Sequence, residues 1–203
     1  MAQCFQSLWT ASFRPEYNQG YFKYISALNL TGIAISLSLC HDAFTSASDT
    51  ISNKDYWMNF LPLTLHFGWT TAASLVNLNG MYALDDDVSA KSVAWMGHVS
   101  VVAATILGVT TTVLRRAPIY GSVIAWALSA VASGLGQRIE ETRKEDPKTV
   151  GVYGAQLQQT LSLAGAALCA ATSGKVAGKD EHRFIHQYRG GLKRASNRRH
   201  GWT

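Results

Sequence analysis

Two long stretches of this chain carry no charged residue. From Trp57 to Gly80 the sequence reads WMNFLPLTLHFGWTTAASLVNLNG, and from Ser92 to Leu114 it reads SVAWMGHVSVVAATILGVTTTVL. At about 1.5 Å per residue in a helix, each is long enough to cross roughly 30 Å of hydrocarbon. Between them lies an acidic break, MYALDDDVSAK, with Asp85, Asp86 and Asp87 in a row. A soluble helix pair needs a charged, wetted face on each member, and neither stretch supplies one. The pair reads as an integral membrane hairpin. Its acidic turn reads as a solvated corner, with a divalent cation or a basic partner as the alternative.

The rest of the chain extends this pattern. Only 15% of the 203 residues are charged, where a soluble domain carries nearer ~25%. Charges gather in connections and tails, so the modest mean hydropathy averages apolar spans with polar ends. The expected architecture is all-α, an integral membrane bundle of five transmembrane helices at about 21–40, 57–79, 92–114, 118–136 and 150–172. An interfacial arm, 1–20, precedes this 21–172 domain, and a basic tail, 173–203, follows it.

Local signals set the ends of these spans. Lys23 can snorkel beside the interfacial aromatics Tyr21, Phe22 and Tyr24. Pro62 falls in the first turns of the second span, where its missing N–H is tolerated. Arg115 and Arg116 stop the third span, and Pro118 starts the fourth. So short a connection makes those two spans antiparallel neighbours. The loop 137–149 is balanced, with four basic and four acidic residues, and is solvent-exposed. The amides of Gln156, Gln158 and Gln159 in the fifth span should face helices or a partner rather than lipid. Phe5, Trp9, Phe13 and Tyr17 recur every four residues, so a helical arm would lay them on the membrane, on a partner subunit or on its own bundle. The end of the tail, GLKRASNRRHGWT, reads as extended and polar.

Charge also sets the expected orientation. The side holding the N-terminus and the 80–91 and 137–149 loops collects 7 Lys/Arg, and the other side 11. The basic excess puts the N-terminus outside and the C-terminus inside. The first twenty residues lack the basic-then-apolar pattern of a signal peptide. That fits an organelle membrane, thylakoid or mitochondrial inner, with the N-terminus in the lumen or intermembrane space and the C-terminus in the stroma or matrix. Cys4, Cys40 and Cys169 are odd in number and not spaced like metal ligands.

Few residues carry chemistry. His66 and His98 lie well inside spans and can contact a pigment or tetrapyrrole; interhelical hydrogen bonds are the plainer alternative. Measured from the shared loop their depths differ by about 10 Å, which argues against one haem held by both. No carboxylate sits within a span, and no P-loop, dinucleotide loop or Ser-His-Asp set occurs, so neither a catalytic residue nor a metal site is expected and an enzyme is not. The tail has no zinc or helix-turn-helix pattern, and nucleic acid is not an expected partner.

The runs LPLTLHFGWTTAASLVNLN and APIYGSVIAWALSAVASG resemble the tryptophan-rich TspO/translocator-protein superfamily across roughly residues 57–136. The resemblance implies five transmembrane helices and binding of tetrapyrroles, sterols or similar apolar ligands. By matching positions it implies Trp69, Asn77 and Trp126 as pocket-lining residues. The chain departs from the family pattern where HDAFTSASDTISNKD replaces a proline-rich loop, and in its basic tail. That combination suits a divergent member recruited as a non-catalytic accessory subunit of a large energy-converting complex, a photosystem or a respiratory or ATP synthase assembly. Its expected partners are other membrane subunits and lipids, with no intrinsic cofactor and with chlorophyll, carotenoid or lipid at the periphery. The alternative is a TspO-like tetrapyrrole- or sterol-binding membrane protein or transporter.

Overall fold

The computed structural model describes residues 1–12, 20–47, 53–85, 87–145 and 150–199. Helix α1 (Ala2–Ser12) precedes a 3-10 turn (Gly20–Lys23) and α2 (Tyr24–Ala47). A single turn, α3 (Asn53–Asp55), and a π-helical turn (Tyr56–Phe60) lead into α4 (Leu61–Ala83). Then come α5 (Ala90–Leu114), α6 (Pro118–Glu145) and α7 (Val150–Arg199). Helices α4, α5 and α6 pack on one another, α7 lies against α5 and α6, α2 against α4, and α1 against α2.

Three helical segments among the described residues are long and apolar enough to cross a membrane, as an integral membrane protein requires: Gly20–Ser46, Ala90–Leu114 and Pro118–Thr142. They are the first, third and fourth expected spans, and the first and fourth run past the ends expected at 40 and 136. The second and fifth expected spans are helical as well, within α4 and α7. Their apolar character falls short of the other three because α4 carries many Thr, Ser and Asn side chains and α7 carries Gln156, Gln158 and Gln159.

Those polar side chains of α4 point inward. Thr64, Thr70, Thr71 and Ser74 are buried, whereas Leu65, Trp69 and Val76 are exposed. Each buried hydroxyl donates to a carbonyl one turn back: Thr64 to Phe60 at 2.8 Å, Thr70 to His66 at 2.8 Å, Thr71 to Phe67 at 2.9 Å and Ser74 to Thr70 at 2.7 Å. Helix α7 repeats the arrangement, with Ser162 and Ser173 buried and Leu157, Leu163 and Leu168 exposed. A water-soluble bundle has the reverse polarity.

Small residues bring the axes close. A methyl at Gly108 of α5 would lie 2.6 Å from Cys169 Sγ of α7 and 2.9 Å from Ile124 Cγ2 of α6. The helix ends follow the sequence signals. Ser89 caps α5, its Oγ accepting from the Ser92 N–H at 3.2 Å. At the other end Arg116 takes φ 48° and the Ala117 N–H bonds the Thr112 carbonyl at 3.1 Å, a Schellman closure one residue before Pro118.

Helix α1 packs on its own bundle: Phe5 lies against Gly32, and Phe5 and Trp9 adjoin the core, while Phe13 and Tyr17 fall outside the described residues. The expectation of an extended basic tail is corrected. The backbone from Ser173 to Arg199 continues α7 as helix, as its many Lys, Arg, Glu, Gln and Ala residues favour. Residues 200–203 lie outside the described set.

One ion pair pins the α4–α5 corner to the start of α2. Lys23 Nζ lies 3.1 Å from Asp85 Oδ2, and the Tyr24 hydroxyl donates to the same oxygen at 3.2 Å. The Lys23 ammonium, then the Tyr24 hydroxyl, hold the Asp85 carboxyl below the usual carboxylate range. Asp85 is thus engaged within the chain; Asp86 lies outside the described residues.

Two outcomes are expected. Gly108→Val should destabilise the folded protein in detergent by about 1–3 kcal/mol through overpacking, read as a lower thermal midpoint. A carboxyl with a depressed folded-state pKa stabilises the fold above its unfolded value of about 3.9, and that contribution is lost as pH falls through the folded value. Asp85→Asn should therefore lower the midpoint at pH 7 and flatten the acid limb of a stability–pH profile. An unchanged acid limb would show that the pair is not coupled to folding.

Candidate functional site

Helices α4 and α6 meet where Gly68 lets Val123 approach and where the rings of Phe67 and Tyr120 sit 4.5 Å apart. Two residues beyond Phe67, Trp69 turns to the outside of this seam and meets Trp126, with ring centroids 5.7 Å apart and planes at 40°. They are 52% and 60% exposed, so the pair forms an aromatic face on the bundle exterior rather than the wall of an enclosed cavity. Asn77 is not part of this face. It lies eight residues further along α4, about 12 Å at the helical rise. There its Oδ1 accepts from the Ser26 hydroxyl of α2 at 2.7 Å.

His66 is half-buried on α4, and its carbonyl accepts the Thr70 hydroxyl. His98 is half-buried on α5 with its Nδ1 against the Ala94 carbonyl oxygen. A carbonyl only accepts, so Nδ1 carries the hydrogen and Nε2 holds a free lone pair. That Nε2 is buried and has no hydrogen-bond partner among the described residues. An imidazole fixed by a carbonyl on one nitrogen and bare on the other has the form that ligates a metal ion. No group of three or more His, Cys, Asp or Glu suited to a metal ion occurs among the described residues. On the exterior of α2, Tyr21, Tyr24, Ile25, Leu28 and Thr31 with Leu78 of α4 line an open, largely apolar groove of about 390 Å³.

A further site was not read from the sequence. His41, at the boundary end of α2, is fully buried at 0% exposure. Its ring lies 4.9 Å from Phe60 and 5.8 Å from Phe67, and Phe44 stands 5.4 Å from Phe60 on the far side. Neither nitrogen of His41 has a hydrogen-bond partner among the described residues. Such a bare polar atom costs about 1–3 kcal/mol. Beside it, Arg115 Nη1 donates to the Ser38 carbonyl at 2.8 Å and to its Oγ at 2.9 Å, and Nε lies 3.8 Å from Asp42. The guanidinium carbon is also 5.8 Å from the centre of the Phe67 ring.

Position in the sequence hid His41. Ending the first span at Cys40 leaves His41 and Asp42 as a surface pair, but α2 runs to Ala47. The signal was present in the spacing of Ser26, Leu30, Ile33, Leu37 and His41, steps of three and four that mark one helical face, and all five are buried.

Residues 1–164 match the sequence profile of the family described as TSPO-like protein. No curated protein and no solved structure matches the chain.

Proposed function

Because the chain belongs to the TSPO-like protein family, we propose that it is a non-catalytic, five-span integral membrane protein that binds a flat, largely apolar ligand of the tetrapyrrole or sterol type. The family match, spanning 164 residues, carries this reading. Five spans are supported by the polarity of α4 and α7. The hydroxyls of Thr64, Thr70, Thr71, Ser74, Ser162 and Ser173 are buried and bonded to their own helices' carbonyls, while Leu65, Trp69, Val76, Leu157, Leu163 and Leu168 are exposed. With five crossings, the basic excess puts the N-terminus outside and the C-terminus inside.

The ligand reading rests on two features. The Trp69–Trp126 pair offers two tilted indoles at the α4–α6 seam, suited to stacking against a planar ring. His98 supplies a lone pair with its tautomer fixed, which fits axial ligation of the metal in a metallated tetrapyrrole. Protoporphyrin titration of the purified protein, followed by tryptophan quenching, is expected to saturate. Trp69→Phe combined with Trp126→Phe should weaken binding about tenfold, or about 1.4 kcal/mol. Quenching that never saturates, or that the double variant leaves unchanged, would rule the site out.

A second reading, an accessory subunit of a photosynthetic or respiratory complex, draws support from α7, a helix of 50 residues that continues to Arg199. Chlorophyll, carotenoid or lipid would then lie at the periphery, in a thylakoid or mitochondrial inner membrane. Gentle detergent extraction and native electrophoresis should show co-migration with a large assembly; migration as a free monomer would count against it.

A further inference from the structure

Thr112 of α5 and Ser173 of α7 meet over Gly121 of α6, where an added Cβ would touch both hydroxyls. At this level the bundle exterior is apolar, with Val113, Leu114 and Leu168 exposed. Just beyond it α5 gives way to Arg115 and Arg116, and α7 carries Lys175 and Lys179. Arg115 is engaged with Ser38 and Asp42. Arg116, Lys175 and Lys179 are exposed and form no ion pair among the described residues. A Cβ added at Gly174 or Gly178 would meet nothing within 4 Å, so α7 stands clear of the bundle here and leaves room around both lysines.

The charge on this stretch of α7 is not balanced within the helix. Lys175, Lys179 and Arg183 follow at four-residue steps and so share one stripe, where like charges repel. The positions three and four residues from Lys175 and Lys179 hold no acid, and Asp180 and Glu181 fall on other faces by helical register. From Ser173 to Thr203 there are eight Lys and Arg against two acids, an excess larger than the net charge of +5 for the whole chain. The missing partner of this rim is therefore an anion from outside the chain.

We propose that the α5–α6 turn and the exit of α7 bind the headgroup of an anionic phospholipid through Arg116, Lys175 and Lys179. This rests on α7 crossing the membrane, as in the five-span reading above, and not on the ring ligand. Side chains on a helix lean toward its N-terminus, which for Lys175 and Lys179 is the direction of the bilayer. A basic rim directly above an apolar exterior fits one molecule with an anionic head and acyl chains, the chains lying along Val113, Leu114 and Leu168. A phosphocholine headgroup would bring its own cation against the same three side chains, whereas phosphatidylglycerol offers a phosphodiester with no compensating amine. The basic excess also places this end of α7 on the inner leaflet, where anionic lipids gather.

The full-length protein is reconstituted in phosphatidylcholine vesicles with a trace of spin-labelled phosphatidylglycerol or spin-labelled phosphatidylcholine. Electron spin resonance then reads the fraction of label immobilised at the protein. Phosphatidylglycerol is expected to be enriched about fivefold over phosphatidylcholine, and less so at high salt. Replacing all three cations, Arg116→Gln with Lys175→Gln and Lys179→Gln, should bring the ratio close to one. The thermal midpoint should stay unchanged, because all three side chains are exposed. Lys193→Gln with Arg194→Gln, about 30 Å beyond Ser173 along the helix, should leave the enrichment in place. Equal immobilisation of the two lipids overturns the proposal and leaves the basic rim to an acidic protein. Enrichment that survives the triple replacement, or that the outer pair abolishes, overturns it as well. Inorganic phosphate at matched ionic strength should displace no more label than chloride does; if it displaces more, the site holds free phosphate and the lipid assignment fails. Antibody access to tags at the two chain ends, in oriented vesicles, separates this inference from the one beneath it. Tags on one face would mean that α7 does not cross and the five-span reading fails; tags on opposite faces without enrichment would mean that this inference alone fails.

Discussion

The bundle depends on hydroxyl side chains that satisfy themselves. A Ser or Thr facing the interior of a helix packed in hydrocarbon has no water to bond, and a bare hydroxyl there is costly. Along α4 and α7, and at Thr112 of α5, buried hydroxyls fold back onto the carbonyl one turn earlier, as Thr64, Thr112 and Ser173 do. Small, self-bonded side chains then let axes approach, and dispersion across the close contact replaces the hydrophobic drive that lipid cannot supply. The aliphatic side chains are left for the outside, where Ile35, Val102, Ile106 and Leu163 are exposed.

Among the described residues, two ion pairs near helix ends tie helices together. At one, Lys23 and Tyr24 reach Asp85 in the α4–α5 corner. At the other, Arg115 at the end of α5 reaches Ser38 and Asp42 of α2. The latter tie closes over the aromatic cluster of Phe60, Phe67 and His41, so an apolar enclosure and a charged clamp sit side by side.

Much of this was legible in the sequence, for identifiable reasons. Charge-free runs, Arg115–Arg116 and Pro118 placed the helices and their ends, because desolvating a charge and forcing proline into a helix interior are costs no tertiary context cancels cheaply. The resemblance over 57–136 pointed to the family, and the match over 1–164 widens it across α1 and α2. Trp69 and Trp126 were named together and do meet, whereas Asn77 is occupied by Ser26. The second and fifth spans were harder to weigh, since hydropathy counts Thr70 or Ser162 as polar whether or not its hydroxyl is already bonded. What Phe5 packs against, its own bundle at Gly32, is not in the sequence pattern, because a four-residue repeat says which side chains align and not what they align against. His41 was missed because one turn of helix separates a surface histidine from a buried one.

The length of α7 has a mechanical consequence. From Ser173, the last buried residue among those described, to Arg199 the helix runs about 39 Å at 1.5 Å per residue. A rod of that length is a lever whose fulcrum is the contact with α5 and α6. Tilting its inner half by ten degrees would sweep the far tip by roughly 7 Å, on the helical dimensions just used. Small adjustments where Gln158 meets Gly97, or where Cys169 meets Gly108, would therefore be magnified at the basic end of the chain.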